Sequence, residues 1–174
     1  MILNGDEIIE AQKTGKIRID PWDEKKVGSN SYDVCLLPTL KYYSSNIVDP
    51  RIQNQTNEIA ITEKGLLLEA GKFFLGSTNE YNFNYANDLV PMLEGRSSIA
   101  RLGLTIHVTA GFGDLGFCGR WTLEIIPAID IIVYPYMPIG QLYWLRTNKT
   151  HRHYHGKYQN QEFVQESKLY TEQR

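Results

Sequence analysis

The stretch Trp121–Arg146, WTLEIIPAIDIIVYPYMPIGQLYWLR, decides the fold class. It holds three short apolar runs, Trp121 to Ile126, Ile131 to Tyr134 and Gln141 to Arg146, separated by Pro, Gly and Asp. None is long enough for a stable helix, and each is rich in the branched and aromatic residues that suit a pleated, half-buried surface. The same reading extends upstream to Tyr32–Leu37, Glu58–Thr62, Leu66–Glu69, Lys72–Thr78 and Thr105–Thr109. Many short strands with turns at this spacing favour a sandwich or barrel over a βαβ sheet, so the fold is expected to be mostly β. Two short helices interrupt it. Asn4–Gly15 carries a capping Asn, first-turn acids Asp6 and Glu7 and a closing Gly, and Ser97–Leu102 runs from a Ser pair to Gly103.

The chain has 174 residues and a net charge of −2. That length suits one domain over residues 1–174, with the polar tail from about residue 165 expected to be flexible. The charge gives no global field for a polyanion, so duplex nucleic acid is not expected as a partner, and phosphate binding must come from local groups. The cysteines Cys35 and Cys118 lack zinc-ribbon spacing and read as buried thiols in a reducing compartment. No signal peptide or membrane span is visible, and a cytoplasmic location is expected.

The chemistry concentrates in Glu94–Glu124, EGRSSIARLGLTIHVTAGFGDLGFCGRWTLE. Arg96, Ser97 and Ser98 fall where a helix starts, so N–H groups, hydroxyls and a guanidinium could converge on one anion, with Arg101 one turn later on the same side. The plainer alternative is that Ser97 or Ser98 caps the helix while Arg96 pairs with Glu94 in solvent. Asp114 follows a Gly-rich turn, Ala110-Gly111-Phe112-Gly113, and is either a turn former or an acceptor for a sugar hydroxyl. Glu124 shares a strand face with Thr122 and Ile126. Either that face is wet, or a carboxylate has been set near the interior as a general base. His107, in an apolar run, reads as a satisfied core histidine. His151, His153 and His155 would share one strand face, but no acid or thiol accompanies them, so a basic stretch is favoured over a metal site.

The series Gly95-Arg96-Ser97-Ser98-x-Ala100-Arg101-Leu102-Gly103-Leu104, Ala110-Gly111-Phe112-x-Asp114 and Thr122-Leu123-Glu124 resembles, in order and spacing, the core of dCTP deaminases in the dCTP deaminase and dUTPase superfamily. Ser31-Tyr32-Asp33-Val34, Ile139-Gly140-Gln141-Leu142 and Gly156-Lys157-Tyr158-Gln159-Asn160-Gln161 extend the likeness over most of the chain.

The resemblance implies a distorted, dUTPase-like β jelly-roll that forms homotrimers with active sites between subunits. It implies Glu124 as the catalytic base, with Ser97 and Arg101 beside the reacting amino group. Arg96 to Arg101, Ser98 included, would hold the triphosphate. Asp114 would meet the sugar 3′-hydroxyl, and backbone around Thr122 and Leu123 would read the pyrimidine edge. Tyr154, Lys157 and Gln161 would close over the nucleotide from the C-terminal side.

The H-x-E and P-C-x-x-C elements of zinc deaminases are absent from the sequence, so Glu124 is expected to act without zinc, with Mg²⁺ carried by the triphosphate. The implied substrate is dCTP, with dUTP and dTTP as further candidate ligands, and the dUMP formed would feed dTTP synthesis. Gly111 and Phe112 resemble the dUMP-forming type more than the type that stops at dUTP. Gly113 and Leu115 depart from that pattern, where a branched residue precedes and a small residue or proline follows the acid. A dUTPase without deaminase activity and a non-catalytic nucleotide-binding trimer are the alternatives.

Overall fold

A computed structural model describes residues 1–172. Its order is α1 (Gly5–Lys13), β1 (Ile17–Asp20), β2 (Tyr32–Cys35), β3 (Thr39–Tyr43), β4 (Thr56–Ala60), β5 (Leu66–Leu68), β6 (Phe74–Asn84), β7 (Leu89–Gly95), α2 (Ser97–Ala100), β8 (Leu104–Thr105), β9 (Cys118–Pro127), β10 (Ile131–Val133) and β11 (Pro138–Arg146). All pairings between these strands are antiparallel. The large sheet runs β4-β3-β6-β9-β8, with β1 also on β6, and a smaller sheet runs β2-β11-β7. The pair β10-β5 completes a jelly-roll whose core mixes Leu3 and Ile8 near the N-terminus with Leu40, Leu123, Ile125, Leu142 and Trp144 from the sheets.

The elements follow from local chemistry. Asn4 Oδ1 accepts from Glu7 N at 2.9 Å while Glu7 Oε2 accepts from Asn4 N at 3.0 Å, a reciprocal cap that starts α1. Gly15 closes the helix at φ 71°. Along β9, Trp121, Leu123 and Ile125 are buried and Thr122, Glu124 and Ile126 half-buried, as the period of two requires. The β6–β9 register breaks between Ser77 and Tyr81. Thr78 fills the break: its hydroxyl accepts from Trp121 N at 2.9 Å and donates to Glu80 O at 2.9 Å. This bulge distorts the sheet beside the site.

Glu80, fully buried on β6, is neutralised by Lys26, whose Nζ lies 2.6 Å from Oε1 and 3.2 Å from Cys35 Sγ. The second Glu80 oxygen accepts from Cys35 N at 2.8 Å. Burial opposes the Lys26 charge, but the hydrogen bond and charge of Glu80 outweigh it and hold the ammonium above its ordinary range. Cys35 and Cys118 are both free and buried.

Several sequence expectations need correction. The run Thr105–Thr109 leaves the sheet after Thr105: Ile106 is buried with its carbonyl accepting from Glu124 N, while the exposed Val108 turns its N–H to the Glu124 carboxylate. Strands β1, β3 and β7 were not marked by alternation; β7 contains Pro91, whose missing N–H disguises it. Neither Ser97 nor Ser98 caps α2: the cap position is Arg96, which makes no side-chain cap bond. His151 to His155 form no strand, and His153 packs on Gly116. The tail residues 165 to 172 pack against the body through Lys41, Tyr43 and Tyr158; residues 173 and 174 lie outside the described residues. Among the described residues, no helix is long and apolar enough to cross a membrane.

Candidate active site

The outer face of β9 floors a cavity of about 490 Å³, within the range of small-molecule sites. Thr122 and Glu124 sit on the floor beside Leu75, which faces Glu124 directly across β6. One wall is the turn from Ala110 to Phe117, and the cover is the C-terminal segment through Tyr154, Tyr158, Gln161 and Gln165 to Ser167.

Glu124 is fixed twice. Its N–H donates to Ile106 O at 2.8 Å, and its Oε2 accepts from Val108 N at 2.9 Å. Among the described residues Oε1 has no protein partner, so one carboxylate oxygen is oriented and the other is left free to accept from a ligand. Arg120 donates from β9 to Gln161 O at 2.9 Å, on the same edge as the Glu124 bond. Thr122 lies between them with the same parity, so its peptide groups face the gap between the Ile106 and Gln161 segments. That gap can take the donor and acceptor edge of a flat heterocycle. The Leu123 side chain is fully buried and contributes no more than backbone.

The wall explains the unusual glycines. Leu93 N donates to Gly111 O at 2.9 Å, and a Cβ on Gly111 would stand 2.6 Å from Leu93 O. A Cβ on Gly113 would meet the Trp121 ring at 2.4 Å and Pro91 O at 2.7 Å. Glycine at 113 therefore fits the large Trp121 on the neighbouring strand, which resolves its departure from the pattern. Leu115 O accepts from Tyr154 N at 2.7 Å, tying wall to cover. Asp114 closes its turn with its carbonyl, which accepts from Phe117 N at 3.2 Å, and is an exposed residue on the cavity wall. Tyr154 lies edge-on to Phe117, with centroids 5.9 Å apart, and its hydroxyl accepts from Tyr158 N at 3.2 Å. Gln161 Nε2 donates to Thr122 Oγ1 at 3.2 Å, while its Oε1 is buried without a partner.

One chain thus brings together Glu124, Thr122, Asp114, Tyr154 and Gln161. It does not bring Arg96, Ser97, Ser98 or Arg101 to the cavity. Ser97, Ser98 and Arg101 are exposed on α2, and Arg96 pairs with Asp33 at 3.1 Å rather than with Glu94. Burial lifts the Asp33 carboxyl above its ordinary range, against the pull of Arg96. Lys157 lies outside the cavity lining, ion-paired with Glu172 and 5.4 Å from the centroid of the Tyr158 ring. His107 is not a satisfied core residue: Nε2 contacts Glu94 at 3.0 Å, and Nδ1 is buried without a partner. Sequence reasoning missed Phe117, Trp121, Tyr158 and the 165–167 segment as lining. The aromatic residues crowded around Gly-rich turns were the available signal.

Among the described residues no cluster of His, Cys, Asp or Glu is placed to hold a metal ion. The groups on α2 and Lys157 suit phosphate oxygens, and those oxygens are the hard donors that Mg²⁺ prefers.

An antiparallel jelly-roll with one oriented carboxylate on the floor of a nucleotide-sized cavity defines the protein first as a class. Its fold is shared with the 2′-deoxycytidine 5′-triphosphate deaminase of Agrobacterium tumefaciens, at TM-score 0.65 and 20% identity, over 84% of this chain and 48% of that one. The chain belongs to the dCTP deaminase-like family, whose profile matches residues 2–147. Proteins named dCTP deaminase, dUMP-forming, are similar over nearly the whole length. That of Clostridium beijerinckii is 49% identical over 99% of this chain and 98% of its own. Those of Cytophaga hutchinsonii and Leptospira biflexa are 47% and 44% identical over the same shares.

Proposed function

We propose that the protein is a cytoplasmic, single-domain dCTP deaminase that carries its substrate through to dUMP, working as a homotrimer with active sites between subunits. The observation that carries this reading is the Glu124 carboxylate, held by Val108 N–H on the floor of a cavity that Arg96 to Arg101 of the same chain do not reach. A neighbouring copy supplies those residues. The exposed apolar side chains Leu102, beside α2, and Phe112, on the cavity wall, support such a contact.

Glu124 takes a proton from water as the water oxygen bonds to C4, then delivers it to the amine as the C4–N bond breaks. The neighbour's Ser97 and Arg101 orient and polarise the reacting group, and its Arg96 and Ser98 hold phosphate oxygens. Asp114 takes the 3′-hydroxyl, the Thr122–Leu123 backbone reads the base, and Tyr154, Lys157 and Gln161 enclose the nucleotide. Arg96, Ser98 and Lys157 would hold the triphosphate, and Mg²⁺ carried on its oxygens would supply charge neutralisation for the leaving pyrophosphate. Gly111, which the approach of Leu93 O requires, and the full-length likeness to dUMP-forming relatives support coupling of the two steps.

The test is incubation with dCTP and Mg²⁺, with and without chelator, resolving dCTP, dUTP and dUMP. Accumulation of dUMP without free dUTP is expected. Hydrolysis of separately added dUTP with dCTP intact would make it a dUTPase, and turnover of neither would make it a binding protein. Inactive Glu124→Gln and Arg101→Ala chains, mixed and reassembled, should recover activity only if sites are shared between subunits.

A further inference from the structure

The cavity does not end at Glu124. Strand register orders its parts along β9. Asp114 and Gln161 lie at the start, where Gly119 bridges Gln161 and Phe117 closes the Asp114 turn. Glu124 faces Leu75, and Ile125 faces Phe74, so Phe73 is level with Ile126. On β3, Lys41 faces Leu75, which brings Tyr43 level with Phe73; their rings stack with centroids 6.3 Å apart. At ~3.3 Å per residue, the Phe73–Tyr43 pair lies about 7 Å beyond Glu124, on the side away from Asp114. Leu75, Phe73 and the Tyr43 ring give this annex an apolar floor under a polar cover of Gln165, Glu166 and Ser167. Its cover is fastened: Ser167 N donates to Tyr43 Oη at 3.4 Å, and Glu166 pairs with Lys41 at 3.0 Å.

A deoxynucleotide with its sugar at Asp114 and its C4 at Glu124 points its exocyclic nitrogen along this same axis, toward the annex. We infer that the annex receives a substituent on that nitrogen, so that the protein also deaminates N4-alkylated deoxycytidine triphosphates. The inference rests on the deaminase reading above. The step balances without a further reactant. Water oxygen bonds to C4 and the C4–N4 bond breaks; one water proton leaves on the alkylamine and the other ends on N3. The products are dUTP, or dUMP after hydrolysis, and a free alkylamine.

A pocket that ended at the amine would reject one added methylene by roughly 10–200-fold. Purified full-length protein is therefore given dCTP and N4-methyl-dCTP in parallel, with deoxyuridine nucleotide and methylamine both quantified. The expected result is a kcat/KM for N4-methyl-dCTP within about tenfold of that for dCTP. Normal dCTP turnover with a larger loss on the methylated substrate overturns the inference and leaves the deaminase reading standing. Failure on dCTP itself sinks both. Ser167→Trp fills the annex from its exposed cover: it should lower N4-ethyl-dCTP turnover about tenfold or more relative to its effect on dCTP turnover. Equal effects on the two substrates would show that the alkyl group lies elsewhere.

Discussion

Strand β9 and the C-terminal segment 151–172 line opposite sides of one cavity, but different physics holds them. β9 is laced to β6 by a backbone ladder and sealed from behind by Trp121, Leu123 and Ile125. The C-terminal segment has little regular structure; three-residue contact with Cys118–Arg120 anchors it at 159–161. Beyond that point it relies on side chains: Glu166 to Lys41, Glu172 to Lys157, and the hydroxyls of Tyr43 and Tyr158. The carboxylate proposed as the base therefore sits on the element that costs most to deform, and the cover on the one that costs least.

The contrast can be broken first at Glu124. Glu124→Gln should lower deamination by about 10²–10⁴-fold with an unchanged melting temperature, because the side chain is half-buried and its strand is held by backbone. A milder loss in an assembled protein would remove it from the chemistry. Behind the same sheet, Glu80→Gln should cost about 3 kcal/mol in urea unfolding, since it strands Lys26 without its counter-charge. A cost below 1 kcal/mol would mean that Lys26 finds another partner or reaches solvent when the Glu80 charge is removed.

Effects in the cover should be smaller. Glu172 occupies the cation proposed for the triphosphate, so Glu172→Gln should lower KM for dCTP about two- to fivefold at unchanged kcat, most clearly at low salt. A raised KM would show instead that Glu172 holds the cover closed. The smallest effect concerns pH. Burial raises the Glu166 carboxyl, but its backbone hydrogen bond and Lys41 outweigh that and hold it below its ordinary 4.5. The Lys41–Glu166 latch thus stabilises the cover fully above pH 4.5 and is lost as pH falls through the lowered value. Proteolytic clipping within 151–172 should rise as pH falls below 4.5 in the wild type and stay flat in Glu166→Gln.

Much of this was legible from residues in order. The alternation of β9 put Thr122, Glu124 and Ile126 on one face, and the helix caps at Asn4 and Gly15 were readable because a cap is a contact over a few residues, whereas α2 ends at Ala100 with Arg101 and not Gly103 as its C-cap. Strand β7 was hidden by Pro91, and the run after Thr105 read as strand because of its apolar residues, of which Ile106 packs inward and Val108 lies exposed. Gly113 looked like a defect until Trp121 was seen to occupy the space a Cβ would need.

The sequence by itself determined the class of fold, the family and a short list of candidate side chains for the site. These rest on period-two burial and ordered motifs, which act over a few neighbouring residues. Only the tertiary structure decided which of those side chains meet. It placed Glu124 against Val108 N–H and Leu75, sent Arg96 to Asp33 and Lys157 to Glu172, and left α2 outside the cavity of its own chain. Such distances depend on strand register and long-range packing, and no local pattern encodes either.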